Sequence, residues 1–195
     1  MKNIAVFCGS SAGNNSIYST GAKDLARFLA AEGITLITGG GWVGIMGVIA
    51  DEMLLCGGSV IGVIPGFLVD KEVAHKGLSE IIVVETMHDR KKMIEQLADG
   101  FIALPGGFGT LDEIFEIITW AQLNIHNKPC GILNVNGFFD NLFEHIHHMV
   151  KEGFVANGYL GMIIMDSSPE SLLNRMMNYS QPVMDKAKIA LGNRI

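Results

Sequence analysis

The segment 101–113, FIALPGGFGTLDE, places the strongest constraint on how this chain can fold. Its first four residues are apolar and predict a short strand that is buried on both faces. A proline and three glycines then force a tight turn, after which Thr110 can cap a helix that begins with Asp112 and Glu113. Glycines let a ligand approach the backbone, and the amides at a helix N-terminus bind anions. The segment therefore predicts a phosphate site at a strand-to-helix turn.

Glu113 is the unusual residue of this segment, because it would place a carboxylate beside a site for another negative charge. Acidic side chains are common in the first turn of a helix, where they complement the helix dipole. A dipole role and a functional role for Glu113 are therefore both open from the segment alone.

Apolar segments of strand length alternate with helical segments along the 195-residue chain. This alternation predicts an α/β fold with a doubly wound parallel sheet, helices on both faces and right-handed crossovers. We expect one Rossmann-like domain over 1–181, a C-terminal tail over 182–195 and a polar surface loop over 67–79. The predicted strands are 3–7, 34–38, 59–64, 80–84, 101–104, 130–133 and 161–165. The predicted helices are 16–32, one that the glycine turn 39–47 opens and that ends at about 56, one that the segment 86–92 leads into and that ends at about 98, 110–124, 138–152 and a last one from 169 that Ser167 or Ser168 caps.

The charge and hydropathy of the chain exclude several classes of function. The net charge is −6 and no basic run is present, which argues against binding to nucleic acid polymers. No apolar run is long enough for a membrane span, and the N-terminus enters a strand without a signal-peptide pattern. These features predict a cytoplasmic protein that does not bind membranes.

The three cysteines, Cys8, Cys56 and Cys130, are isolated in the sequence. They form no metal-binding pair and no disulfide pattern, and their odd number fits a reducing compartment. We interpret them as small buried apolar residues, with a nucleophilic role for Cys8 as the lesser alternative.

A second glycine-rich turn, 39–47, contains the pattern GxGxxG of dinucleotide-binding proteins. This turn follows the second strand instead of the first, and the next strand ends without an acidic residue for a ribose. Neither glycine turn has the lysine that a P-loop requires. Dinucleotide binding is therefore disfavoured, and a P-loop is excluded.

Arg90 and Lys91 open a predicted helix, a position at which the helix dipole disfavours cations. They could form a solvated basic patch, or they could face the phosphate pocket and compensate the charge of Glu113. Three histidines at 145, 147 and 148 lack further ligands at metal spacing, so no metal site is predicted.

Taken together, these motifs resemble the LONELY GUY (LOG) family of cytokinin riboside 5′-monophosphate phosphoribohydrolases, which was often mislabelled as lysine decarboxylase. The resemblance covers nearly the whole chain. It rests on the segments VFCGSSAG (6–13), GGGWVGIMG (39–47), MHDRK (87–91), PGGFGTLDE (105–113) and ITWAQL (118–123).

The resemblance implies a Rossmann-like homodimer that hydrolyses the N-glycosidic bond of purine nucleoside 5′-monophosphates. The products would be ribose 5-phosphate and a free base, either adenine or an N6-modified adenine of the cytokinin type. No metal ion and no organic cofactor would be needed.

Matched by motif position, Arg90 and Glu113 would be the catalytic pair. Asp112 stands where plant members usually carry glutamate, and Trp42 stands where many members have a small residue. The positions that would contact the substrate or its phosphate are Glu72, Lys91, Gly106, Gly107, Phe108, Gly109, Thr110, Leu111, Asp112 and Thr119, together with Gly9, Ser10, Gly40, Gly41 and Met87.

The implied chemistry suits these residue types. Cleavage of a glycosidic bond develops oxocarbenium character on the ribose, which a nearby carboxylate can stabilise while it activates water. Glu113 could serve either purpose. Arg90 could orient the phosphosugar, orient Glu113 or assist the departing base.

A non-catalytic carrier of a nucleotide or of the molybdenum cofactor is the alternative function, since such carriers have a similar fold and a glycine-rich loop. A carrier needs the phosphate loop but has no need of the Arg90 and Glu113 pair. A pyridoxal-phosphate decarboxylase is disfavoured, because it needs a Schiff-base lysine within a much larger scaffold.

Overall fold

The computed structural model of the chain describes residues 1–69 and 74–182. Position 72, at which a substrate-binding glutamate is expected, lies outside this part of the chain. So does the predicted C-terminal tail, apart from residue 182.

Seven strands form one parallel sheet in the order β4-β3-β2-β1-β5-β6-β7. The order runs outward in one direction from β1 and in the other from β5, so the topological switch point lies between these two central strands. The strands are β1 Asn3–Phe7, β2 Thr35–Thr38, β3 Val60–Pro65, β4 Glu80–Val84, β5 Gly100–Ala103, β6 Cys130–Leu133 and β7 Ile163–Asp166.

Within residues 1–69 and 74–182, seven α-helices connect or follow the strands, and two short 3₁₀ helices lie at 135–137 and 157–162. Among the described residues, no helix is both long enough and apolar enough to cross a membrane. The helices are α1 Ile17–Ala31, α2 Gly44–Leu55, α3 Gly66–Val69, α4 Met87–Leu97, α5 Phe108–Gln122, α6 Asp140–Lys151 and α7 Pro169–Met177.

The helices cover both faces of the sheet, as a doubly wound fold requires. On one face, α1, α2 and α7 bury side chains such as Leu25, Ile49 and Leu172 against the strands. On the other, α4, α5 and α6 bury side chains such as Ile94 and Ile114. The chain therefore passes to the other face of the sheet at α4, where it crosses from the edge strand β4 back to the central strand β5. The predicted fold class is confirmed.

The prediction of a surface loop over 67–79 was partly wrong. Residues 66–69 form the short helix α3, and Ala74 makes an antiparallel bridge to Gly41. The amide of His75 donates to the carbonyl oxygen of Gly40 at 2.8 Å, and its ring Nε2 lies 2.9 Å from a carboxylate oxygen of Asp51. These contacts tie residues 74–75 both to the glycine turn that follows β2 and to helix α2.

The starts of two helices also differ from the predictions, and that of a third agrees. Helix α6 begins at Asp140, because the preceding chain forms the 3₁₀ turn at 135–137. Ser16 precedes α1 without a side-chain capping bond, whereas Asn15 accepts a hydrogen bond from the amide of Ile17 at 3.0 Å. Ser168 caps α7 as expected, with Pro169 in the first turn.

Candidate active site

A cavity of about 230 Å³ opens at the carboxyl edge of the sheet, beside the switch point between β1 and β5. This is the place where doubly wound sheets bind ligands. The cavity is lined by Cys8, Gly9, Ser10, Met46, Arg90, Gly107, Phe108, Gly109, Thr110 and Glu113.

Helix α5 begins earlier than predicted, which changes the position of each polar residue on it. Gly107 is the residue before the first helical turn, so the prediction that Thr110 caps the helix was wrong. Thr110 is instead the third helical residue and is 3% exposed. Its hydroxyl oxygen is buried and has no hydrogen-bond partner among the described residues. A buried hydroxyl without a partner is rare and suits a site where a ligand supplies one.

The same shift places Glu113 beyond the first turn of α5, which contains no acidic residue. The stabilisation of anions by the helix dipole falls off within the first turn. The early start of α5 therefore weakens the dipole explanation for Glu113 and favours a functional role.

The glycines of the predicted phosphate loop fall into two kinds. A Cβ added to Gly107 or Gly109 would meet no protein atom within 4 Å, so the space above both residues is open. A Cβ on Gly106 would lie 2.1 Å from the hydroxyl oxygen of Thr110 and 2.7 Å from the amide nitrogen of Gly9. Because the first amides of a helix lack intrahelical acceptors, the turn presents free donors to that open space. Gly106 serves close packing, and Gly107 and Gly109 border the ligand space.

The loop after β1 packs directly on this turn. The amide of Gly9 donates to the carbonyl of Pro105 at 3.1 Å, and the carbonyl of Gly9 accepts from the amide of Met46 at 3.3 Å. Gly9 and Ser10 therefore line the cavity as expected, together with Met46, which the sequence reasoning missed.

The glycines after β2 contribute indirectly. Gly40 has a φ of +75° and packs against Gly62 and Ile64, and Gly41 makes the bridge to Ala74. Within the described part of the chain, neither residue lines the cavity. They shape the backbone beside it.

Arg90 reaches the cavity from the start of α4. The capping box of Thr86 and Asp89 fixes this helix end, since each side chain accepts a hydrogen bond from the other residue's amide. Nε of Arg90 donates to the carbonyl of Val63 at 3.2 Å. Its Nη2 lies 3.3 Å from Oε1 of Glu113, and the two side chains are only 11% and 12% exposed. The structure thus joins the two residues predicted to be catalytic, although they lie on different helices.

Met87 lies beside this pair. Its sulfur is 3.9 Å from Nη1 of Arg90, and the residue itself is 36% exposed. Met87 therefore contacts Arg90 without lining the cavity, as far as the described residues show.

Burial and charge act in opposite directions on Glu113. Burial raises the pKa of its carboxyl above the ordinary value, and the positive charges of Arg90 and Lys91 only partly offset this. Burial, followed by the charge of Glu113, also raises the pKa of the Cys8 thiol to about 12. Cys8 thus stays protonated at neutral pH, which disfavours the nucleophilic alternative.

The remaining predicted contacts lie outside the cavity. Nζ of Lys91 lies 2.8 Å from Oδ2 of Asp112 and 3.2 Å from Oε2 of Glu116. The hydroxyl of Thr119 donates to the carbonyl of Phe115 at 2.7 Å, more than one turn beyond Glu113. Leu111 is also absent from the lining, as far as the described residues show. Across the same residues, no group of three or more His, Cys, Asp or Glu could hold a metal ion.

The lack of a side chain at Gly39 leaves room for Arg90, so a substitution at Gly39 tests whether the position of the Arg90 guanidinium matters. A Cβ at Gly39 would lie 1.9 Å from Nη2 of Arg90, the flexible end of that side chain. We expect Gly39→Ala to fold normally but to displace the guanidinium from Glu113, lowering kcat on the order of a hundredfold. Gly66→Ala is the control, because its Cβ would lie 3.8 Å from the nearest atom. Steady-state kinetics and Tm measure both effects, and full activity in Gly39→Ala would contradict the prediction.

Comparisons with known proteins point to one family. The family model described as "Possible lysine decarboxylase" matches residues 46–176. The chain is 44% identical over 178 residues to the cytokinin riboside 5′-monophosphate phosphoribohydrolase LOG2 of Arabidopsis thaliana, covering 91% of this chain and 84% of that one. It is 43% identical, with the same coverage, to the probable cytokinin riboside 5′-monophosphate phosphoribohydrolase LOGL3 of Oryza sativa subsp. japonica.

Among solved structures, the chain resembles the molybdenum cofactor binding protein of the phototrophic bacterium Rippkaea orientalis. The TM-score is 0.69 at 22% identity, over 91% of this chain and 96% of that one. At this identity the likeness establishes the fold only. The family match and the identities above 40% go further: the chain belongs to the LOG family, the one whose model is described as "Possible lysine decarboxylase" and whose curated members are cytokinin riboside 5′-monophosphate phosphoribohydrolases.

Proposed function

We propose that this protein hydrolyses the N-glycosidic bond of a purine nucleoside 5′-monophosphate, releasing ribose 5-phosphate and free adenine or an N6-modified adenine. The observation that carries the proposal is the buried pair of Arg90 and Glu113, 3.3 Å apart, in one cavity with an open helix N-terminus. The relatives LOG2 and LOGL3, whose names state this activity, support it.

The start of α5 would bind the phosphate. The amides of residues 108–110 lie in the first turn, and the space above Gly107 and Gly109 is open. The buried hydroxyl of Thr110 would donate its unused hydrogen bond to a phosphate oxygen. Glu113 lies one turn further along the same helix, so a phosphate held here places the ribose against its carboxylate.

Glu113 would act on the ribose and on water. As the bond between C1′ and the base nitrogen breaks, its electron pair leaves with the base and positive charge develops on the sugar. The carboxylate stabilises that charge and accepts a proton from the water whose oxygen bonds to C1′. The departing base takes up a proton from solvent, and Glu113 later returns its proton to solvent. A raised pKa makes the ionised Glu113 a stronger base than an exposed glutamate.

Arg90 would compensate the negative charge of Glu113 during the reaction. It holds Glu113 in place and offsets part of the cost of burying a carboxylate. We favour this orienting role, since Nε of Arg90 is already committed to the carbonyl of Val63.

The alternative is that this protein carries a nucleotide or cofactor, since the chain shares the fold of the Rippkaea orientalis protein. The decisive test incubates the protein with AMP and, separately, with isopentenyladenosine monophosphate, and measures free base by chromatography. We expect equal amounts of base and ribose 5-phosphate, and the ratio of the two specificity constants identifies the preferred base. Nucleotide binding without release of either base would favour the carrier.

We also propose a homodimer in a reducing, cytoplasmic compartment. Three free cysteines support the compartment. Phe108, which lines the cavity, is 94% exposed, and this supports an interface beside the site. Light scattering should give twice the chain mass of 21.1 kDa.

A further inference from the structure

Lys91 forms ion pairs with two carboxylates of α5, those of Asp112 and Glu116. Glu116 follows the PGGxGTxxE motif and does not line the cavity. Asp112 and Glu116 are four residues apart and so share one face of α5. Their carboxylates approach Nζ of Lys91 to 2.8 Å and 3.2 Å, and we call these three residues the lysine clamp.

The lysine clamp lies directly beside the catalytic pair. Arg90 and Lys91 are neighbours on α4, and Asp112 and Glu113 are neighbours on α5. Two adjacent cations on one helix therefore meet carboxylates on the other. The ion pairs hold the start of α4 against α5 and oppose sliding of one helix along or across the other.

Lys91 has little capacity left for a substrate. Its side chain is 16% exposed, and two carboxylates already accept hydrogen bonds from its ammonium. Burial opposes the charge, but these hydrogen bonds outweigh it, so the pKa of Lys91 is raised. A phosphate could use only the third N–H of the ammonium, and it would meet the negative charges of both carboxylates there.

We propose that Glu116 is a positioning residue: with Asp112 it holds Lys91, and the lysine clamp keeps Arg90 and Glu113 in register for the hydrolysis proposed above. Lys91 then acts through Glu113 and not by binding the substrate phosphate. The inference rests on the proposed function for its kinetic readout.

The lysine clamp also sets the ionisation of Glu113. Burial raises the pKa of this carboxyl, Arg90 and Lys91 lower it, and Asp112 and Glu116 raise it. The thiol of Cys8 faces the same carboxyl and stays neutral. Removing Glu116 therefore lowers the pKa of Glu113, whereas removing the charge of Lys91 raises it.

The test compares Glu116→Gln, Lys91→Met and the double variant. For both single variants we expect kcat to fall about tenfold, because the pair loses its register, with KM changed by less than about threefold. The acid limb of the kcat profile should move to lower pH in Glu116→Gln and to higher pH in Lys91→Met. In the double variant the opposing shifts cancel.

Two controls separate positioning from general destabilisation. Glu116→Asp keeps the charge and should recover most of the lost kcat, and Glu144→Gln, an exposed glutamate on α6, should resemble the wild type. A loss of Tm with no movement of either acid limb would overturn the proposal. So would a KM raised more than about tenfold in Lys91→Met, because that result means direct substrate binding.

A readout without turnover keeps the proposal testable by itself. Carbon-13 NMR of labelled glutamate carboxyls, with the Glu113 signal assigned from Glu113→Gln, gives the titration of Glu113 in each variant. If the wild type released no base, the proposed function would fail, yet opposite titration shifts would still support the lysine clamp. Absence of those shifts would overturn it.

Discussion

Replacing Glu113 by Gln is expected to lower kcat by about 10²–10⁴-fold, the range that a positioned acid or base contributes. The amide keeps the size of the side chain and a hydrogen-bond acceptor for Arg90, 3.3 Å away. It can neither accept a proton from water nor stabilise a positive charge on the ribose. Single-turnover assays of base release measure the loss, and calorimetry should show that AMP still binds, because the helix N-terminus is unchanged.

The same substitution should not destabilise the protein at neutral pH. The pKa of Glu113 is higher in the folded than in the unfolded chain. Its contribution to stability is therefore fully present below the unfolded pKa and is lost as the pH rises through the folded pKa. Where the carboxyl is ionised, its burial therefore opposes folding, and Glu113→Gln should keep or raise Tm. An inactive variant with a much lower Tm would indicate a folding defect, and near-wild-type turnover would refute the catalytic role.

Replacing Arg90 by Met is the second substitution with a large expected effect. It removes the main charge that opposes the burial of Glu113, so the pKa of Glu113 rises further. At neutral pH more of the enzyme is then protonated and inactive, and the remaining carboxylate has lost its anchor. We expect kcat at pH 7 to fall by about 10²–10³-fold, by analogy with the loss of other electrostatic groups in active sites.

The pH profile of Arg90→Met distinguishes this explanation from simple loss of substrate binding. The acid limb should move to higher pH, so part of the activity returns as the pH is raised. Arg90→Lys provides a matched variant that keeps the charge but cannot reproduce both the bond to the Val63 carbonyl and the contact with Glu113. A raised KM with an unmoved acid limb in Arg90→Met would instead place Arg90 on the substrate.

The periodicity of the sequence predicted the fold class and much of the sheet. Strands β1, β4 and β6 have the predicted bounds, because each is a short apolar run between clear turn residues. The loop prediction failed at α3, which is only four residues long and too short to show helical periodicity.

The start of α5 was placed too late for a different physical reason. Thr110 is a good capping residue by type, but the turn at Gly107 already begins the helix. Local preference favoured the hydroxyl as a cap, whereas the packed turn buries it without a partner. With the helix start predicted at Thr110, Glu113 falls in the first turn, where a dipole role is open. The observed start at Phe108 places it beyond that turn.

The pairing of Arg90 with Glu113 could be expected from the family motifs but not from spacing, since the two residues lie on different helices. Their contact depends on the crossover of α4 beneath the sheet. The roles of Glu116 and Met46 could not be predicted from the sequence. There, Glu116 has the pattern of an exposed helix face and Met46 that of a helix core.

The crossover of α4 also has a consequence for the folding of the chain. Arg90 follows the four strands of one half of the sheet, and Glu113 begins the half that contains β6 and β7. If either half formed alone, its member of the pair would have no counterion. The contact between Arg90 and Glu113 can therefore form only when both halves are in place, so it belongs to the complete fold and to no half-formed intermediate.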